Sequence, residues 1–223
     1  MLFETGSVLR YALYALLCLP LLLIALHTGV RVVRHFHKFP MPEFLANAID
    51  NPLRRRIQPP DETPRRHAIE PGMTALEVGP GNGTYTMATA RALGAQGRLI
   101  SVDIEPKMIE RVRRRAQKEG LANVEARVAD VYKLPFEDGI FNAIYMTAVI
   151  GEIPSPEKAL KEFHRVLAPS GTLAFSEFLM DPDYPRAGVL IRKASAAGFR
   201  IRKRAGNFLY YTLVFEKATT AAA

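Results

Sequence analysis

The sequence predicts an α/β fold: a doubly wound, mostly parallel sheet with an antiparallel C-terminal edge strand, preceded by one N-terminal membrane helix. Three observations carry this expectation. From Thr74 onward, short apolar runs alternate with helical patterns, as strand-helix-strand units require. The chain then ends on two extended runs, "FRIRKRAG" and "FLYYTLVFEK", split by a short Gly-Asn connection that suits an antiparallel pair. At the other end, residues 11–30 contain no Asp, Glu, Lys or Arg.

Composition bounds what these pieces can be. A chain of 223 residues with 48% hydrophobic content has enough apolar material for one globular domain and a modest extra. The net charge of +8 is compatible with nucleic acid, an anionic membrane surface or plain solubility, so the position of the charges has to decide. Cys18 is the only cysteine, which excludes an intrachain disulfide framework and a cysteine metal site and is compatible with a reducing compartment.

The first region, residues 1–38, reads as an anchor with a basic flank. The run "YALYALLCLPLLLIALHTGV" has about the length needed to cross roughly 30 Å of hydrocarbon. A cleaved signal peptide is the rival, but no clear small-x-small site precedes the basic cluster. Arg31, Arg34 and Lys38 follow the run while only Arg10 and the terminal amine precede it, which places the rest of the chain on the cytoplasmic side. Pro20, near the middle, allows either a kinked spanning helix or a shallow re-entrant one.

Residues 39–73 read as a connector broken by prolines, in which Met41, Phe44, Leu45, Ala48 and Ile49 share one face of a short helix. That helix either packs on the domain or serves as a lid or a surface dipping into lipid headgroups. Arg54, Arg55, Arg56, Arg65 and Arg66 are either a solvated face or a contact to anionic lipid.

The domain proper is expected over residues 74–217, with 218–223 as a tail. Its strands are "TALEV", "RLISVDI", "VEARVAD", "FNAIYMT" and "TLAFSEF", and its helices cover 84–93, 106–119, 155–167 and 189–197. The stretch "ALEVGPGNGTYT" sets Gly79, Gly81 and Gly83 between the first strand and the first helix, where backbone must approach a ligand closely. A dinucleotide fingerprint is G-x-G-x-x-G, with pyrophosphate at the helix N-terminus. Here the pattern is E-x-G-x-G-x-G, and an acid at Glu77 suits a ligand carrying an ammonium and a sulfonium, which argues for S-adenosylmethionine over NAD.

With these residues in place, 74–217 resembles the class I S-adenosylmethionine-dependent methyltransferases, which are Rossmann-like. The resemblance implies roles residue by residue. Asp103, 20 residues beyond Gly83, matches the acid that holds the ribose hydroxyls. Asp130 matches the acid that accepts from the adenine amino group, Val131 supplies backbone and apolar contact to the ring, and Ile104 and Met108 cover its other face. The stretch from Asp138 to Glu177 matches the fourth strand, its helix and the fifth strand, with Thr147 and Ala148 near the methionine portion. Turn formation and helix capping are the alternatives for the acids and glycines taken singly.

The expected chemistry is in-line attack on a sulfonium methyl that is already electrophilic, so alignment and exclusion of water matter most and no metal is required. A general base matters only where the acceptor must lose a proton. Glu152, after the fourth strand, and Glu177, at the end of the fifth, are the candidates, because the carboxyl ends of strands face the cleft in such sheets. Asp181, Asp183 and Tyr184 lie on the same edge as a loop, His164 reads as helix surface, Gly151 as a bend, and Tyr210 and Tyr211 as a strand with one ring inward.

The expected function is methyl transfer to a lipophilic or membrane-associated acceptor: a phospholipid amine, a quinone-type phenol or a lipophilic thiol. A membrane protein or peptide acceptor is a competing possibility, and a non-catalytic cofactor-binding membrane scaffold a third. Nucleic acid is disfavoured because the basic residues gather beside the anchor instead of forming a groove-sized stripe with interleaved aromatics.

Overall fold

The structure, a computed structural model, describes residues 2–37 and 51–218. It divides into two compact units whose described parts are those two spans. The connector helix expected over Met41–Ile49 and the tail beyond 218 lie outside the described residues.

The first unit is helix α1, Leu2–Phe36, which continues through Pro20 without a turn. A proline inside a helix removes one backbone hydrogen bond, and here the helix continues past that gap. At about 1.5 Å per residue its 35 residues extend roughly 50 Å, more than a hydrocarbon core. Within it, Leu16–Arg34 has a mean hydropathy of 2.1, and its apolar side chains are exposed.

The second unit begins with the described part of the connector. Helix α2, Pro52–Ile57, is started by Asn51, whose side chain accepts from Arg54 N, and by a proline at its first position. A 3-10 turn, Pro60–Glu62, and the short α3, Thr63–Arg66, follow. Gln58, Thr63, His67 and Ile69 are buried, so this stretch is an integral layer of the domain although it precedes the boundary expected at Thr74.

The remaining elements are β1 (Thr74–Val78), α4 (Thr84–Leu93), β2 (Arg98–Asp103), α5 (Pro106–Lys118), β3 (Val124–Val128) and β4 (Phe141–Thr147). They continue with α6 (Pro156–Val166), β5 (Leu167–Phe178), α7 (Ala187–Ala196), β6 (Phe199–Gly206) and β7 (Tyr210–Lys217). Among the described residues the strands form one seven-stranded sheet in the order β3-β2-β1-β4-β5-β7-β6. The five strands from β3 to β5 are parallel, and β7 runs antiparallel to both β5 and β6.

The C-terminal pair thus closes the sheet as expected, with one refinement. The antiparallel strand β7 lies inside, and β6 takes the edge. Side chains explain the order: β7 is buried from Tyr211 to Phe215, whereas β6 exposes Arg200, Arg202, Lys203 and Arg204. Cationic side chains suit a sheet edge, where they discourage pairing with other chains.

Alternation along the strands sorts the core. Leu76, Ile100, Ile144, Leu173 and Leu213 pack with Leu160 and Phe163 of α6 and Leu190 of α7. On the other face, Ala75, Leu99, Tyr145, Ala174 and Val214 pack with Ala90 and Leu93 of α4, while α5 adds Ile109 and Val112. Helices therefore cover both faces, and every parallel strand delivers its carboxyl end to one edge.

Candidate active site

Strand register assembles this edge. Val78 pairs with Val102, Asp103 with Val128, and Thr147 with Ser176, so Gly79, Asp103, Asp130, Thr147 and Glu177 come to neighbouring strand ends.

At β1 the chain needs left-handed backbone three times: φ is +69° at Gly79, +55° at Gly81 and +82° at Gly83. A Cβ on Gly79 would lie 2.5 Å from Val149 Cγ2, whereas one on Gly81 would meet nothing within 4 Å. The loop therefore presses against the segment after β4 at one glycine and opens outward at the next. Arg115 of α5 holds its back, donating to Asn82 O at 3.1 Å and Thr84 Oγ1 at 3.0 Å.

Glu77 is 3% exposed, and its Oε2 accepts from Thr86 Oγ1 at 2.6 Å and from Ser101 Oγ. Burial raises its pKa against those two hydrogen bonds. Its carboxyl thus ties β1, β2 and α4 together behind the glycine loop. At β2, Asp103 Oδ1 accepts from Glu105 N at 2.9 Å. Burial is the main force raising the Asp103 pKa, opposed by that backbone N–H and reinforced by the Glu105 charge. Ile104 beside it is 59% exposed, an unusual state for an isoleucine, and Met108 is buried. Asp130 is exposed and accepts from Tyr132 N at 2.9 Å, the turn expected of an acid before a loop, and Val131 packs partly on the core.

Several features were invisible in the sequence. Arg54 of α2 reaches the end of β4, where its Nη2 donates to Thr147 O at 3.4 Å and its guanidinium lies 5.5 Å from the Tyr85 ring centroid. Arg55 donates to Thr84 Oγ1 at 3.4 Å. These two arginines reach the strand ends and the start of α4, while Arg56 and Arg65 are exposed and Arg66 pairs with Glu62 at 2.7 Å. Ala148 adopts φ +57°, a conformation that L residues pay for, at the point where β4 gives way to the loop over Gly79. Thr147 Oγ1 is buried without a hydrogen-bond partner. His67 is fully buried, 2.7 Å from Ser176 Oγ, which lies 2.8 Å from Thr212 Oγ1. Burial and the nearby Arg66 charge push the His67 pKa down to about 3, so it is a neutral strut beneath the site.

On the β4–β5 side, Glu177 is 1% exposed and its Oε1 has no hydrogen-bond partner. Its pKa is raised well above the carboxylate range, by burial first and then by Asp181, with Glu152 and Asp183 adding and Arg54 opposing. Two loops bring these acids in. A Cβ on Gly151 would fall 2.0 Å from Asp183 O, so Gly151 is the point where the β4–α6 and β5–α7 loops touch. Asp181 Oδ1 accepts from Asp183 N at 2.8 Å, which shapes the second loop. Tyr211 pairs with Glu177 in register and donates to Pro185 O at 2.6 Å. His164 packs against Phe199 at 5.2 Å, a structural place on α6, and Tyr210 lies under Arg66 at 6.0 Å.

The cleft at β1–β2 fits a nucleoside-bearing ligand: an open glycine cradle, an acid at the next strand end, an exposed isoleucine beside it and an unpartnered threonine hydroxyl across the loop.

Comparison with known proteins agrees with that geometry. A family described as a methyltransferase domain matches residues 69–199. Over 118 residues the chain is 31% identical to an arsenite methyltransferase of Halobacterium salinarum, covering 53% of this chain and 30% of that one. Over 109 residues it is 39% identical to the ubiquinone/menaquinone biosynthesis C-methyltransferase UbiE of Brucella anthropi, covering 48% and 41%. The chain thus spans less than half the length of these curated relatives. A crystal structure of a SAM-dependent methyltransferase from Aquifex aeolicus superposes with a TM-score of 0.74 at 22% identity, covering 79% of this chain and 98% of that one, and shares the fold.

Proposed function

We propose a function from one premise: the chain belongs to the methyltransferase-domain family, within the class I S-adenosylmethionine-dependent fold. On this reading it transfers a methyl group from S-adenosylmethionine to a lipophilic acceptor at a bilayer, its catalytic unit on the cytoplasmic face. When bound, the cofactor supplies an electrophilic methyl group on a sulfonium.

The chain's own residues bind and orient. Gly79, Gly81 and Gly83 admit the ligand to the backbone, and Glu77 keeps that loop in place and contributes negative charge behind it. Asp103 takes the ribose hydroxyls, Asp130 the adenine amino group, and Ile104, Met108 and Val131 enclose the ring. Thr147 offers a hydroxyl toward the methionine portion. Glu152 and Glu177 stand on the acceptor side.

The observation that carries the acceptor class is α1, whose span Leu16–Arg34 is apolar and outward-facing in the same chain as this cleft. A catalyst gains from such a tether when its acceptor is dissolved in the bilayer. Incubating membranes with methyl-labelled cofactor tests it. Label in the organic extract supports the reading; label confined to the protein pellet favours a membrane protein or peptide acceptor, and label in neither favours a scaffold.

A further inference from the structure

We infer that the β6–β7 hairpin is a membrane-docking element: its apolar tip, Phe208 and Leu209 with Met180 beside them, enters the interface of an anionic bilayer, and Arg202, Lys203 and Arg204 meet the phosphates. This rests on the bilayer reading of α1 and adds the surface by which the second unit meets lipid.

The tip is built to hold apolar side chains outward. Gly206 has φ +91°, and a Cβ there would fall 2.4 Å from Tyr210 O, so only glycine lets the two strands close at this point. Asn207 fixes the turn: its N donates to Tyr210 O at 2.7 Å, and its Oδ1 accepts from Leu209 N at 2.8 Å. Phe208 is left 73% exposed and Leu209 46%. The loop after β5 joins the same surface, because Leu179 N donates to Leu209 O at 2.8 Å and Tyr184 Oη to Phe208 O at 2.8 Å. Met180 of that loop is 62% exposed. Neighbouring apolar side chains held in water mark a contact surface, and a turn already fixed loses little freedom on docking.

Charge names the partner. Residues 199–215 contain Arg200, Arg202, Lys203 and Arg204 and no Asp or Glu. Glu216 holds Arg200 at 2.6 Å. Among the described residues no carboxylate pairs with Arg202, Lys203 or Arg204, and all three are exposed. The acids of the loop beside the tip, Asp181 and Asp183, are half-buried, so the exposed charge of the hairpin is cationic. At about 3.3 Å per residue these cations stand roughly 10 to 20 Å behind Phe208 along the strand, and their long side chains extend toward the headgroups. An apolar tip followed by cations matches the layers of an anionic bilayer, hydrocarbon and then phosphate. Protection of a sheet edge accounts for the cations but leaves the apolar tip without a reason. A second copy pairing edge to edge would set the same cations against each other.

Position links this surface to the cleft. Phe178 pairs with Tyr210, so the turn projects from the carboxyl edge of the sheet, where Gly79 and Asp103 also lie. From β1 to β7 is three strand spacings, roughly 14 Å. A bilayer met by the tip therefore borders the edge at which the cleft opens, and a lipophilic acceptor has a short path into it.

The chain has no tryptophan, so Phe208→Trp places a single reporter at the tip. The full chain carrying it is reconstituted into vesicles of acyl-brominated phosphatidylcholine, with and without about 30% phosphatidylglycerol to supply anionic charge. Bromine quenches a tryptophan that reaches the acyl chains. Quenching in the anionic vesicles should be at least threefold that in phosphatidylcholine alone, and Arg202→Glu, Lys203→Glu and Arg204→Glu together should remove most of it. Should that triple variant fail to fold, salt at about 1 M, where screening acts within about 3 Å, should lower the quenching of the Phe208→Trp chain in the same way. Lys118→Trp, at the end of α5, should stay unquenched in both vesicles. An unquenched tip, equal quenching with and without phosphatidylglycerol, or equal quenching at Lys118→Trp overturns the docking. A tip that becomes shielded in lipid-free micelles as protein concentration rises indicates a second copy and also overturns it. Methyl label in the organic extract with an unquenched tip overturns the docking alone. A quenched tip with no labelled extract overturns the lipophilic acceptor and leaves the docking standing.

Discussion

Glu77 and Glu177 occupy matching positions, each the next-to-last residue of a parallel strand and each buried at the same edge of the sheet. Glu77 points to the α4 face, where Thr86 and Ser101 both donate to it. Glu177 points to the opposite face, where its buried Oε1 has no hydrogen-bond partner. Around Glu77 the edge is closed by its own hydrogen bonds. Around Glu177 one buried oxygen is left unpartnered, which is tolerable where a ligand completes it.

This contrast can be broken from several directions. The largest effect is expected from removing residues 1–38, which should cut turnover on vesicle-borne acceptor by about a hundredfold while S-adenosylhomocysteine affinity stays unchanged. Full activity on vesicles would show that the anchor is only an address. Next, Asp103→Ala removes a carboxyl acceptor from the end of β2. It should cost about 1.5 to 3 kcal/mol, roughly ten- to a hundredfold in S-adenosylhomocysteine affinity by calorimetry. Unchanged affinity would refute the ribose assignment.

Glu77→Leu tests the closed half directly. It strands the Ser101 and Thr86 hydroxyls and should destabilise the domain by about 1 to 3 kcal/mol in urea unfolding.

The two faces should also differ in the sign of their pH dependence. The His67 pKa falls from 6.5 to about 3 on folding, so the folded state binds fewer protons in that window and stability drops as pH falls below 6.5. The loss should reach about 1.4 kcal/mol one unit lower, and His67→Gln should remove it. Glu177 is shifted upward, so the folded state holds a proton that the unfolded state releases, and stability declines as pH rises above 4.5 toward neutrality. Glu177→Gln should flatten that decline and leave the domain at neutral pH as stable or slightly more so, the smallest effect of the series. A clear loss of stability at neutral pH would mean that Glu177 is satisfied after all.

The legible parts of this molecule are those whose causes are short-ranged. Helix α4 runs from Thr84 to Leu93 as its helical pattern requires, and the left-handed glycines follow from the tight turn between β1 and α4. The strand-end placement of Asp103 is equally local. Arg54 was hidden because its role depends on α2 folding back over β4, a contact across 93 residues. His67 depends on Ser176 across 109 residues, and no local pattern announces either. The extension of β5 back to Leu167, ahead of the expected Thr172, comes from the Phe141–Leu167 pairing beside a register shift in β4. For Gly151, the reason for glycine is the carbonyl of Asp183 on another loop.

That last contact bears on how such an enzyme diversifies. Because any side chain at 151 would strike the Asp183 carbonyl, the loops after β4 and β5 are coupled at one point and have to change in concert. A library that randomises either loop alone keeps the other fixed, and substitution at 151 prises the two apart. Acceptor preference should therefore shift in paired steps, through compensating exchanges on the two loops. The glycine cradle is free to stay constant while those exchanges accumulate.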